Sequence, residues 1–126
     1  MASFTARFTV TAVDPSDLPG VTGDWASALR MRKSYTDGIV GDAELHFVFS
    51  GEEPSRGYLA VERITGSIDG VQGEVTVHHG ALQHPGGESS FGYVIPGTGS
   101  GPFVGWEGDV AISHGEDGTS MVFTLR

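Results

Sequence analysis

Glu62 lies in the run Tyr58-Leu59-Ala60-Val61-Glu62-Arg63-Ile64, where strict alternation groups it with Tyr58, Ala60, Ile64 and Gly66, opposite Leu59, Val61, Arg63 and Thr65. Both rows carry apolar residues, so alternation alone leaves the inward row open. If Glu62 faces an apolar interior, its charged form is disfavoured and its pKa rises, which suits a general acid or base near neutral pH. The competing role is structural, a carboxylate paired to an arginine or bonded to tyrosine and backbone groups. His78 and His79 are adjacent on a strand and therefore point to opposite faces. The row Val75, Val77, His79 is the apolar one, which makes His79 the inward histidine and a proton shuttle beside Glu62, unless it is simply hydrogen-bonded in place. Glu62, His79 and Tyr58 are thus the catalytic candidates.

Other motifs carry less. The stretch His78 to Glu88 holds three histidines and a glutamate, but lacks the His-x-His spacing of cupin-type metal sites, and no metal site is assigned. Gly97-Thr98-Gly99-Ser100-Gly101 has the glycine content of a phosphate cradle, yet it opens no helix, lacks the P-loop lysine and runs through Pro102, so it reads as a barrel corner. Arg30, Arg32 and Lys33 form the one cationic cluster. Arg30 and Arg32 share a face and either meet an acidic ligand at a barrel mouth or sit on a solvated outer face. Tyr35, Phe47, Tyr93, Trp106 and Trp25, with Arg30, are the candidate ligand-binding residues, since large aromatic groups with a few polar tips line small-molecule pockets as well as filled cores.

The elements that must position these residues are strands. Alternating runs recur between turn signals, and no segment keeps a helical stripe for three turns. The expected strands are 4–13, 26–36, 39–50, 58–67, 71–79, 89–95, 103–113 and 119–125, with loops over 14–25 and 80–88 and a glycine-rich connection over 96–102. Asp37-Gly38, Asp69-Gly70 and Asp117-Gly118 are hairpin corners. All six prolines fall in the expected connections, as a sheet interior demands. Eight short strands in an open sheet leave two exposed edges, and closing the eighth onto the first removes both. The expected fold is therefore all-β, a closed antiparallel eight-stranded up-and-down barrel, lipocalin-like in plan, whose lumen is just wide enough for packed side chains or one small ligand.

Composition agrees. The 126 residues suffice for one domain spanning 1–126. Twenty glycines and a charged fraction of 18% disfavour a helix bundle. A formal charge of −9 is the wrong sign for tracking a phosphate backbone or an anionic bilayer, so neither nucleic acid nor membrane is an expected partner. The absence of cysteine excludes disulfides, thiolate metal sites and a thiol nucleophile. Met1 to Arg7 lacks a basic region followed by an apolar run, which predicts a cytoplasmic protein. Homodimerisation is the general expectation for such domains, with no residue pattern to locate an interface.

The segments Glu62-Arg63-Ile64-Thr65-Gly66, Gly70-Val71-Gln72-Gly73, Val75-Thr76-Val77-His78-His79, Val94-Ile95-Pro96-Gly97-Thr98-Gly99-Ser100-Gly101 and Gly105-Trp106-Glu107-Gly108 resemble the bacterial family called domain of unknown function 3224. The resemblance covers about residues 58–126 and extends to the first half only in layout. It implies an architecture similar to that of the allene oxide cyclases, eight-stranded barrels with an apolar cavity, but no catalytic residues carry over, and the catalytic glutamate motif of those enzymes has no counterpart here. The function expected on these grounds is a cofactor-free cyclase or isomerase in which Glu62, aided by His79 or a tyrosine, moves a proton on a small hydrophobic substrate. The alternative is a non-catalytic binding protein for a small hydrophobic molecule.

Overall fold

Alternation in sequence becomes alternation of side-chain direction in a computed structural model of the chain, which describes residues 2–116 and 118–126. Eight strands, β1 (Ala2–Ser16), β2 (Ala26–Asp37), β3 (Val40–Glu52), β4 (Ser55–Ile68), β5 (Val71–His84), β6 (Gly87–Val94), β7 (Gly108–Gly115) and β8 (Gly118–Leu125), follow in chain order. Each pairs antiparallel with its neighbour, and β8 returns to β1 over Ala2↔Leu125 to Phe8↔Thr119, closing the barrel. The closed eight-stranded antiparallel barrel expected from the turn signals is therefore the observed one. In β3 the row Ala43, Leu45, Phe47, Phe49 turns inward, and in β4 the inward row is Tyr58, Ala60, Glu62, Ile64 and Gly66. Leu59 and Val61, the other apolar members of β4, face solvent.

The corners follow turn chemistry. Asp69 and Gly70, with φ of 51° and 82°, form the two-residue loop between Ile68 and Val71, a conformation that twists with the strands it joins. Glu53-Pro54, a cis peptide, turns β3 into β4. Asp117 of the third Asp-Gly corner lies outside the described residues.

Several boundaries differ from the sequence-based expectation; β3 runs on to Glu52 and β4 begins at Ser55, so that only Glu53-Pro54 separates strands expected to end at 50 and start at 58. β1 continues through Asp14-Pro15 to Ser16, because by then it pairs only with β2 and the missing proline N–H faces an open edge. Residues 80–88 are not a loop: β5 and β6 continue to the turn at Pro85-Gly86, held by backbone pairing in a polar stretch that shows no apolar alternation. Residues 103–107 are not strand. Gly101–Phe103 is a 3-10 turn, with Pro102 in its first turn, where a missing N–H leaves no hydrogen bond unmade, and Phe103 is fully buried. The connector ahead of it is stitched to β5, Thr98 Oγ1 accepting from the Thr76 N–H at 3.1 Å and Ser100 Oγ from the Glu74 N–H at 3.0 Å. These hydroxyls supply acceptors where β6 has ended. Gly73 has no room for a Cβ, which would strike the Ser100 carbonyl.

Antiparallel order gives the barrel two distinct ends. The start of β1, the β2–β3 and β4–β5 corners, the 95–107 connector and the end of β8 share the base. There Phe103, Trp106, Phe123 and Phe4 stack edge to face, with centroids 5.0 Å apart for Phe103–Trp106 and for Trp106–Phe123 and 5.3 Å for Phe4–Trp106. This cluster stops the base with apolar area. The mouth, at the other end, gathers the 17–25 connection and the β3–β4, β5–β6 and β7–β8 corners.

Candidate functional site

Between the stoppered base and the mouth, three strands aim polar side chains at one point. Glu62 on β4 is fully buried, Lys33 on β2 is 2% exposed and His79 on β5 is 4% exposed. Lys33 Nζ donates to Glu62 Oε1 at 2.9 Å, and Tyr35 Oη, also on β2, donates to Oε2 at 2.6 Å. An ionised carboxylate only accepts, so His79 Nε2, 3.0 Å from Oε1, carries the hydrogen of the third bond. His79 Nδ1 is buried with no hydrogen-bond partner among the described residues. Lys33 Nζ also lies 3.9 Å from the centre of the Phe8 ring, a cation–π contact in a desolvated setting.

Charge pairing decides the ionisation state of Glu62. Burial pushes its carboxyl up, but the hydrogen bond from His79, the Lys33 charge, the Tyr35 hydroxyl and the charge of His79 together outweigh that push and hold it below the ordinary carboxylate range. The raised pKa expected from an apolar lumen is therefore corrected: Glu62 is a saturated anion rather than a proton donor poised near neutrality. Lys33 is lowered by burial, against the raising influence of the Glu62 charge and hydrogen bond. Tyr35 is pushed well above its usual value, first by burial and then by the neighbouring carboxylate, so it remains a neutral hydrogen-bond donor.

Above the cluster a cavity of about 660 Å3 extends to the mouth, lined by Phe8, Met31, Phe47, Phe49, Tyr58 and Ile112 among others, with Lys33 and His79 in its wall. That volume is in the range of small-molecule sites. Tyr58 is partly buried; burial first, then the Glu62 charge, raises its pKa and keeps its hydroxyl neutral. Its ring meets His79 edge to face at 6.3 Å, and Phe47 meets His79 the same way at 6.1 Å. A second groove of about 500 Å3 on the β4–β5–β6 rim shares Phe49 and Tyr58 but contains none of the buried ionisable groups.

Of the residues singled out from sequence, Glu62, His79, Tyr58, Tyr35 and Phe47 come together here. Four do not. Arg30 lies exposed on the outer face of β2, whose neighbour Arg32 reaches Glu44 at 3.6 Å. Trp25 is 67% exposed ahead of β2, Tyr93 stacks outside the barrel against Phe91 and His78, and Trp106 belongs to the base cluster. Lys33 is the site residue that sequence reasoning misses. Charge groups it with Arg30 and Arg32, although it shares the row of Leu29, Met31 and Tyr35, and that row faces inward.

The fold has a solved relative. A crystal structure of a protein of unknown function from the DUF3224 family of Shewanella oneidensis MR-1 superposes with a TM-score of 0.78, at 22% identity over 100% of this chain and 98% of that one. No curated protein matches the chain. A family model described as Protein of unknown function (DUF3224) matches residues 4–126, and on the strength of that near-complete match the chain belongs to the DUF3224 family.

Proposed function

We propose that the barrel binds a small, mainly apolar molecule with one polar end, and that this end lodges against the Lys33–Glu62–His79 group. The observation that carries the reading is a mostly apolar cavity of about 660 Å3 that opens at the mouth and has two ion-paired or hydrogen-bonded polar side chains, Lys33 and His79, in its wall. A packed lumen would need no such opening, and a charge cluster serving stability alone would need no apolar approach. Displacement of the neutral fluorophore N-phenyl-1-naphthylamine by straight-chain alcohols of eight to twelve carbons tests it. Wild type binds the fluorophore and releases it to the alcohols. Met31→Trp, which fills the cavity wall, weakens both by at least about tenfold while keeping the thermal transition. Equal affinity in the two proteins refutes the reading.

A second reading is cofactor-free isomerisation or cyclisation, the reaction class expected from the sequence resemblance. The unpartnered Nδ1 of His79 favours it specifically. In that reading His79 transfers the proton and Glu62 fixes its ring by holding Nε2–H, the division of labour of a carboxylate–imidazole dyad. Turnover of an unsaturated ketone by wild type, lost in His79→Asn, is the result that supports it. Turnover unchanged in that variant ends it.

A further inference from the structure

Seven residues of the chain are Lys or Arg, and Lys33 alone is a lysine. All six arginines are exposed, while the one lysine is buried. This inverts the usual placement of cationic side chains. A guanidinium is the better partner for a buried carboxylate, since it binds both oxygens and is less strongly hydrated. An ammonium differs from it in being able to give up a proton and become a nucleophile. The chain therefore places its only such side-chain nitrogen in the wall of the mostly apolar cavity at the mouth, beside a carboxylate, an imidazole and two phenols.

We propose that Lys33 captures a small aldehyde or ketone in this cavity as an imine, with Glu62 as its counter-ion; the proposal rests on the cavity being a binding site. The ammonium lends one proton to Glu62 Oε1, 2.9 Å away. The freed lone pair attacks the carbonyl carbon, a C–N bond forms, and the π pair of the carbonyl moves to its oxygen, which takes the proton back from Glu62. A second proton passes from nitrogen to that hydroxyl, the C–O bond breaks, and water leaves as the N=C bond forms. The sum converts an ammonium and a carbonyl into an iminium and one water, with no change in oxidation state and no net proton. Because the positive charge stays on Nζ, the pairing with Glu62 persists in the product, and the low polarity of the site opposes hydrolysis by excluding water. Burial lowers the proton affinity of Lys33 while its partners hold Glu62 below the ordinary carboxylate range, so the protonated Glu62 is only a transient carrier that passes its proton to the carbonyl oxygen and is an anion again in the product.

Reductive trapping tests this. The protein is incubated at neutral pH with octanal and cyanoborohydride, and adducts are mapped by mass spectrometry. Trypsin cleaves after Lys33 and not after its octyl derivative, and the α-amino group is the only other primary amine. The expected result is octylation of Lys33 at least about tenfold faster than in the urea-unfolded chain, suppressed by excess octanol while the α-amino group continues to react. Lys33→Arg keeps a cation beside Glu62 and loses the internal adduct. Trapping at Lys33 no faster than in the unfolded chain, while octanol still displaces the naphthylamine probe, overturns the imine and leaves the binding site standing. Failure of both octanal and octanol to displace the probe overturns both.

Discussion

The Lys33–Glu62 pair makes a quantitative claim about stability. Replacing Glu62 by Gln keeps the shape and retains one accepting oxygen for Lys33 and His79, and the Tyr35 hydroxyl can turn to accept from the new amide. What disappears is the negative charge, so the cost is that of an ammonium left buried beside an apolar ring. Breaking a buried pair from one side costs about 3–5 kcal/mol. For a chain of 126 residues, each kcal/mol lowers the melting temperature by roughly 3–5 °C, which puts Glu62→Gln roughly 9–25 °C below wild type. Lys33→Met leaves Glu62 with two donors, and the double variant removes both charges. Its cost is therefore smaller than the sum of the single ones by about 2 kcal/mol or more. The deficit also depends on pH. Without Glu62, only the lowering influence of burial acts on Lys33, so its folded pKa falls further below 10.5. The unfolded chain then binds more protons than the folded one, and stability of Glu62→Gln rises with pH. Urea unfolding of the four proteins at pH 7 and pH 9 is the assay. A Glu62→Gln loss under about 1 kcal/mol, strict additivity, or a deficit that widens with pH would refute the reasoning.

Two further outcomes are expected. Glu62 has its folded pKa depressed below 4.5, so its contribution is complete above that value and is lost as pH falls through the folded pKa; acid titration by circular dichroism should show a steeper loss of stability below pH 4.5 in wild type than in Glu62→Gln, and parallel profiles would contradict the assignment. Phe103→Ala removes a fully buried ring that stacks on Trp106, costing about 3–5 kcal/mol and weakening the near-ultraviolet dichroism of that tryptophan, whereas an unchanged transition would mean that the base is held without its stopper.

How much of this is legible in the sequence varies by residue. The β3 row of Ala43, Leu45, Phe47 and Phe49 stands opposite Glu44 and His46, so its inward face can be read directly, and with the turn signals it leads to the closed barrel. β4 is ambiguous, because Leu59 and Val61 are apolar and yet 62% and 39% exposed; position in the assembled sheet, rather than polarity, puts Glu62 inside. Lys33 is hidden by its neighbours Arg30 and Arg32, since charge type is a conspicuous signal and parity along the strand a quiet one. The direction of the Glu62 pKa depends on residues 29, 27 and 17 positions away in the chain, which no local pattern reports. Phe103 and Trp106 read as strand because aromatic residues favour sheets; here they sit in a connector whose hydroxyls, rather than a strand ladder, dock it on β5.

The aromatic stopper at the base makes the lumen a cul-de-sac. A ligand of the kind proposed would then have to enter past the mouth residues, Phe49 and Tyr58 among them, and leave by the same end. Residence time would then be governed by the width of that one doorway, and a bulkier side chain at the threshold would slow arrival and departure alike, leaving the equilibrium between them almost untouched.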